Sequence, residues 1–386
     1  MKTILTILDS HDLYGKELSN IQVYKILKEN QFRVIVAYNK YANINLITEI
    51  ENYEKISISF PRQITQKHRI IRYFLYFFSA NYKISRIILK ERPEVIFIPT
   101  EIALFYLLPS LLLFYKTKVI FRIGDAPLLY RKRHQKFICK VYNLIWKNII
   151  LKRINKTVSI SKFIQSKLKD SGRKIQPNDD FIIYNFPPER AVINKLKLHA
   201  NDTNALKLGF LGRIVEDKGL FLLVEAVIEL LHEGLNIELF IAGNIDEKNT
   251  YLKKIYNTIS STNFTKCFHF IGNINDVKSF YEFIDLSCAP SIYEEPLGNI
   301  LVEAKKYSKP SVIFNVGGMP ELITHKLNGY ICENISSDNL KEAIYYYYYD
   351  RHELKKEGNN AYLSIKELGI DSYHFQKKWT DVFNNL

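Results

Sequence analysis

Cysteine, methionine and tryptophan are scarce in this chain of 386 residues, at four, two and two. The cysteines, Cys139, Cys267, Cys288 and Cys332, form no C-x-x-C pair and no zinc spacing. That excludes a zinc ribbon, a dithiol redox motif and a disulfide scaffold. They read as free cytosolic thiols buried in apolar runs. Glycine (15) and proline (12) are too few for a fibrous or low-complexity chain. The longest apolar region, 102–115, contains Pro109 and falls short of the roughly 20 residues a membrane helix needs. Residues 1–9 have one lysine and a short apolar stretch cut by Asp9, too short for a signal peptide and better read as a first strand. A cytoplasmic protein is expected. No D-x-D occurs, which weakens a reading with a metal-bound diphosphate.

Acidic residues are also missing locally. From Ala126 to Lys169 there are twelve Lys/Arg and no Asp or Glu. Residues 1–195 carry 34 basic and 15 acidic side chains, net +19, and the remainder carries 20 and 25, net −5. A basic half can face nucleic acid, an anionic membrane or a phosphorylated ligand. No helix-turn-helix, zinc-finger or RNA-binding signature is present, so nucleic acid is not an expected partner.

What is there is an apolar fraction of 47%, ample for large cores, arranged as short β-branched runs alternating with helical patterns. Runs at 2–8, 32–37, 95–98, 118–122, 157–160 and 181–184 read as strands, and the pattern restarts with 206–210, 237–241, 268–271, 286–289 and 311–314. Alternation of this kind is the signature of parallel sheets with helices on both faces. The expected fold class is α/β, with two Rossmann-like doubly wound domains facing across a cleft. The expected organisation is an N-terminal domain 1–188, a polar linker 189–204, a C-terminal domain 205–370, and a helix 371–386. In that helix Phe375, Trp379 and Phe383, spaced by four, make one apolar face that could dock on the N-terminal domain. The tyrosine run 345–349 reads as part of a packed surface helix.

Two loops carry the chemistry. Ser291-Ile292-Tyr293-Glu294-Glu295-Pro296-Leu297-Gly298-Asn299 follows an expected strand, and a helix opens near Asn299. The free N–H groups of such a helix start form an anion site. Glu295 in the loop can hold sugar hydroxyls, and Glu303 in the helix can hold a ribose diol. Gly212-Arg213-Ile214-Val215-Glu216-Asp217-Lys218-Gly219 follows another strand, where Arg213 offers a fork for phosphate oxygens and Lys218 a point charge. Phe270-Ile271-Gly272-Asn273 and Val316-Gly317-Gly318-Met319-Pro320-Glu321 end two further strands.

This ordered set, G-R-x4-K-G, then E-P-L-G-x4-E-A, then G-G-M-P-E, resembles the retaining GT-B glycosyltransferases of family 4, the group 1 glycosyltransferases of bacterial cell-surface polysaccharide synthesis. The resemblance is close from Leu206 to about Glu333 and weaker before it. It implies that Arg213, Lys218 and Glu295 carry the reaction, with Arg213 and Lys218 on the diphosphate of a nucleotide sugar and Glu295 on the donor sugar. Glu303 would hold the ribose. The Leu297, Gly298, Asn299 and Ile300 backbone, together with Gly212, would touch sugar or phosphate, and Gly272 and Asn273 would lie near the base. Gly15 resembles the family's glycine loop. The family's His-Asp pair is Gly124-Asp125 here, which leaves Asp125 as the contact to donor or acceptor. The resemblance further implies retention, with the departing phosphate taking the acceptor proton, and no metal or other cofactor beyond the nucleotide-sugar co-substrate. Its acceptor would be a lipid-linked, lipopolysaccharide or capsule saccharide.

From the residues themselves, 62–92 hold eight Lys/Arg and one acid interleaved with Ile70, Ile71, Phe74, Phe77 and Phe78. That pattern suits a basic amphipathic helix on an anionic membrane, and also a helix whose aromatics enter the N-terminal core. Peripheral attachment at the inner face of the plasma membrane is expected from the first. Two other functions share the motifs: a nucleotide-sugar epimerase of the same architecture, and a catalytically silent protein that only binds nucleotide sugar or membrane.

Overall fold

Among the described residues, thirteen short runs, most of them apolar or β-branched, become parallel strands in two separate sheets. The computed structural model describes residues 1–13, 15–60, 69–127, 136–187, 195–201, 204–246 and 248–384, with the side chains of 69, 70, 72 and 136–139 outside that description. The first sheet contains β1 (Thr3–Leu8), β2 (Arg33–Asn39), β3 (Glu54–Ile58), β4 (Val95–Ile98), β5 (Lys118–Ile123), β6 (Lys156–Ser159) and β7 (Asp180–Ile182), ordered 3-2-1-4-5-6-7. The second contains β8 (Leu206–Leu211), β9 (Ile237–Ala242), β10 (Phe268–Gly272), β11 (Leu286–Ala289), β12 (Ser311–Phe314) and β13 (Gly329–Cys332), ordered 10-9-8-11-12-13. In each, chain order reverses beside the first strand, at β1/β4 and at β8/β11. Loops leaving the carboxyl ends of strands at such a switch point diverge and leave a crevice, where ligands of open α/β sheets bind.

The chain divides into two compact units, Met1–Pro188 with Ser372–Leu386, and Glu189–Asp371. The first unit recruits the C-terminal helix Ser372–Asn384 into its own core. Trp379 meets Phe97 edge-on at 5.6 Å, Phe383 meets it at 5.9 Å, and Lys156 Nζ donates to the Val382 carbonyl at 3.2 Å. Phe375, Trp379, Val382 and Phe383 are all buried. Each contributes roughly 1.5–3 kcal/mol of transfer free energy, so the helix is an integral layer of that unit. Arg122, on β5, is buried beneath it. Its guanidinium donates to Asn185 Oδ1 at 2.6 Å and to Asn20 Oδ1, and burial pushes it down to about 10.

In the second unit, Leu196, Leu198 and Ala200 pack against the buried cluster that includes Phe240, Phe280 and Ile284, so they lie on this unit's own core. The tyrosine run lies on the helix Ser337–Tyr349. Tyr347 is fully buried, and Tyr346 and Tyr347 donate to Glu357 at 2.8 and 2.5 Å. The apolar region 102–115 is not one helix but two, Glu101–Tyr106 and Leu108–Leu113. Pro109 lacks an amide hydrogen and starts the second piece. Cys267, Cys288 and Cys332 are free thiols, the last two buried. No helix among the described residues is long and apolar enough to cross a membrane.

Candidate functional site

The β8/β11 switch point brings the two sequence motifs together. After β8 the chain makes a short turn, Glu216–Lys218, and enters the helix Leu220–His232 through Gly219 at φ 66°. Glycine is required there, because a Cβ would lie 1.9 Å from the Pro290 carbonyl oxygen. That close approach lets the loop after β11 lie directly on the Lys218 turn. The Asp217 carbonyl oxygen accepts from Ile292 N at 3.0 Å, Tyr293 N at 3.2 Å and Ser291 Oγ at 3.2 Å. Two amide bonds to one oxygen, with the single Ser291 hydroxyl proton shared between that oxygen and Glu295, latch the two loops.

Across this latch, Lys218 Nζ donates to Glu295 Oε1, which also accepts from Ser291 Oγ at 3.0 Å. Both ionic groups are largely shielded from water, which strengthens the pair relative to a surface salt bridge. A third loop fixes Glu295 from behind. Gly318 N donates to the Glu295 carbonyl at 2.7 Å, and Gly317, at φ 63°, sits where a Cβ would be 2.3 Å from that same oxygen.

The remaining motif residues take nearby positions in the same unit. Arg213 is exposed at the end of β8. Gly298 is the N-cap of the helix Asn299–Lys306; it makes no side-chain cap bond, and its carbonyl accepts from Leu301 N at 3.0 Å. Leu297 is buried beneath this turn. Ile300 is in the first turn, and its carbonyl accepts from Tyr281 at 3.0 Å. Asn299 and Glu303, four residues apart, share one face of the helix. Gly212 N donates to the Ala242 carbonyl and Gly243 N to that of Gly272, both at 2.9 Å. Gly212 and Gly272 therefore lie at the ends of β8 and β10, on either side of β9 and on the same rim of the sheet. Asn273 is exposed, its amide donating to Asn244 Oδ1 at 3.3 Å.

Gly15 and Asp125 are not among them; both belong to the first unit. There a cavity of about 280 Å³ opens at the carboxyl ends of β1, β4 and β5, lined by Asp9, Lys16, Thr100, Glu101, Arg122 and Asp125 among others. Gly15 opens the helix Gly15–Glu29, and its neighbour Lys16 reaches 3.8 Å from Asp125. The same side chain passes 3.6 Å from where Gly124 would carry a Cβ. Tyr14 of the glycine loop is outside the described residues. Asp9 accepts from Thr100 Oγ1 at 2.8 Å, and loss of water pushes its carboxyl above the usual range, opposed by that bond and by Lys16.

Sequence reasoning missed Asp9, Thr100 and the Asp217 latch. The latch works through a backbone oxygen, which leaves no mark on residue type. Gly317-Gly318 was a visible signal, but its role depends on which backbone it approaches. No group of three or more His, Cys, Asp or Glu among the described residues is placed to hold a metal ion.

Two doubly wound parallel sheets, one in each unit, are the architecture of the GT-B fold. The fold likeness extends over the whole chain. The crystal structure of Anabaena Alr3699/HepE in complex with UDP and glucose matches it with a TM-score of 0.77, 18% identity and 100% of both chains covered. Residues 194–364, within the second unit, match the family described as "Glycosyl transferases group 1". Among curated relatives, the lipopolysaccharide 1,2-N-acetylglucosaminetransferase of Salmonella typhimurium is 28% identical over 225 residues, 56% of this chain and 57% of that one. The capsular polysaccharide biosynthesis glycosyltransferase CapM of Staphylococcus aureus is 26% identical over 153 residues, 39% of each chain. The matches thus span 39% to 57% of those relatives' length.

Proposed function

We propose that this chain is a glycosyltransferase of family 4 that moves a sugar from a nucleotide-diphosphate sugar to a saccharide acceptor with retention of anomeric configuration. The observation that carries the reading is the Lys218–Glu295–Ser291 cluster at the β8/β11 switch point, inside the segment that matches group 1 glycosyltransferases. A cation, a carboxylate and the start of a helix meet where a diphosphate and its sugar need an electropositive cradle beside a hydroxyl acceptor.

In the reaction the bond between the anomeric carbon and the diphosphate oxygen breaks, and a bond from that carbon to an acceptor oxygen forms. Charge accumulates on the leaving oxygen. Arg213, Lys218 and the amides of the helix Asn299–Lys306 stabilise that charge without reorganising. The acceptor proton passes to the departing diphosphate, so no enzyme base is needed. Glu295 holds sugar hydroxyls, Glu303 the ribose, and Gly272-Asn273 flank the base. Asp125 and the first unit's cavity serve donor or acceptor. The names of the Salmonella and Staphylococcus relatives support a lipopolysaccharide, capsule or lipid-linked acceptor, and the UDP bound by the Anabaena protein supports a nucleotide donor. Such an acceptor places the protein on the inner face of the plasma membrane, with the basic N-terminal half toward anionic lipid.

Isothermal titration with UDP and other nucleoside diphosphates tests the donor site. Arg213→Ala, Lys218→Ala and Glu303→Ala each weaken binding by about tenfold or more, the worth of one charge-assisted hydrogen bond. Unchanged affinity in all three variants refutes the assignment.

A further inference from the structure

The helix Arg69–Glu91 is apolar on two sides. One side enters the core through Ala80, Ile84, Ile87 and Ile88, all buried. The other turns a second apolar stripe to water. Leu75, Phe78, Tyr82 and Leu89 are between 62% and 66% exposed, and with Ile71 they recur at intervals of three, four or seven residues, one face of a helix. The aromatics of this segment therefore divide, with Phe74 and Phe78 outside the core. A soluble surface helix normally keeps its outward face polar.

The stripe does not end with this helix. Its contacts with the next two helices run in step: Tyr106 packs on Tyr73 and Phe77 at 5.7 and 5.5 Å, and Ser110 bonds Asn81 at 2.8 Å and Ser85 at 3.2 Å. Leu113, which follows one turn after Ser110, is 68% exposed and Tyr115 is 70% exposed. They extend the apolar face alongside the second half of the long helix. Contiguous exposed apolar surface of this kind marks an interaction site.

Charge identifies the partner. No Asp or Glu occurs from Lys55 to Lys90 or from Ile102 to Gly124. Lys83, Arg86, Lys90 and Lys116 are exposed beside the stripe. An apolar face flanked by cations, with a carboxylate at its C-terminal end where Glu91 pairs with Lys90 at 3.2 Å, matches an anionic lipid surface, into which the rings sink while the cations meet headgroups. We propose that the outward face of Arg69–Glu91, with Leu113 and Tyr115, is the surface by which this protein docks on anionic bilayers. The proposal rests on the lipid-carried acceptor of the preceding section and goes further by naming the face.

Sedimentation of the full chain with vesicles of phosphatidylcholine, with and without phosphatidylglycerol, is the test. The protein is expected to bind the anionic vesicles at low salt and not the neutral ones. Leu75→Asp/Phe78→Asp lowers that binding at least tenfold with an unchanged unfolding midpoint, since both side chains are exposed. Lys83→Ala/Arg86→Ala weakens it about fivefold per charge removed. No binding by the unaltered chain, or equal binding by Leu75→Asp/Phe78→Asp, overturns the proposal. So does a dimer in sedimentation velocity that the same double variant dissociates while vesicles stay unbound, because a second copy then covers the face. UDP titration on the same preparations separates the two readings: vesicle binding without nucleotide affinity overturns the transferase and leaves the docking face standing.

Discussion

Replacing Gly317 by alanine tests whether the position of Glu295 is set by backbone approach rather than by its own side-chain bonds. At φ 63° an L-residue incurs about 1–2 kcal/mol of steric cost. The added Cβ would lie 2.3 Å from the Glu295 carbonyl oxygen and 2.6 Å from its nitrogen, about 1 Å inside an ordinary contact. Both are backbone atoms that no rotamer change can move aside. Either the 316–319 turn or the Glu295 loop must shift, and the Gly318 N–H bond to Glu295 is lost with it, at about 1 kcal/mol. The total destabilisation is about 2–4 kcal/mol. Gly234→Ala supplies the control. Its φ is 84° and nothing lies within 4 Å of the added Cβ, so it carries the conformational cost alone. Urea unfolding of the two variants isolates the close approach as an excess of about 1–2 kcal/mol in Gly317→Ala. Turnover provides the second readout. A displacement of about 1 Å at a positioned group costs about 10²-fold in rate, expected for Gly317→Ala and not for Gly234→Ala. Equal destabilisation of the two, with full turnover in Gly317→Ala, would refute the reasoning.

Glu295→Gln removes the charge that holds Lys218 in the ligand-free protein. UDP affinity should therefore hold or tighten while turnover falls by about 10²-fold or more, and titration beside a rate assay exposes the error if both fall together. Lys305, fully buried with one bond to Ser364 Oγ at 2.8 Å, has its ammonium pushed down to about 7 by loss of water. The folded chain thus binds this proton more weakly than the unfolded chain, and stability rises with pH from about 7 toward 10.5. Lys305→Met should be more stable than the parent by about 1–3 kcal/mol near pH 6, with the advantage shrinking by pH 10. Unfolding midpoints that run parallel across that range would count against a charged lysine being the source.

The parallel sheets were legible because both faces of such sheets are covered, which writes strands as short unbroken apolar runs such as Val-Ile-Phe-Ile at β4. Two strands escaped that reading for the same reason in reverse. β3 (Glu-Lys-Ile-Ser-Ile) and β13 (Gly-Tyr-Ile-Cys) are edge strands of their sheets, covered on fewer sides, so they carry polar residues and a glycine and do not stand out. The split at Pro109 was written in the sequence, but its consequence depended on whether tertiary packing would favour a kink or two helices. In the candidate site, Lys218 and Glu295, which the structure pairs, stand out in the sequence because their chemistry is in their side chains. The Asp217 latch and the support from Gly317 act through main-chain atoms. Only the geometry of three loops on one switch point reveals them.

That geometry also changes what the charge asymmetry means. In the half that carries +19, the cavity at the sheet's carboxyl rim is lined by three carboxylates, Asp9, Glu101 and Asp125, against two strong cations, Lys16 and Arg122. Arg122 is already committed to Asn20 and Asn185. The excess positive charge is therefore not concentrated at the pocket, and a phosphorylated ligand held there is a poor explanation for it. In the acidic half, Lys218 is placed at the switch point and kept neutralised by Glu295, so the diphosphate proposed to bind there would compete with a carboxylate for a cation already in position. Net charge and charge at the pocket thus carry opposite signs in the first half, while in the second a net negative domain holds a neutralised ion pair at its switch point. Net charge belongs to the surface each domain presents, and only the charge at the site to the ligand it holds.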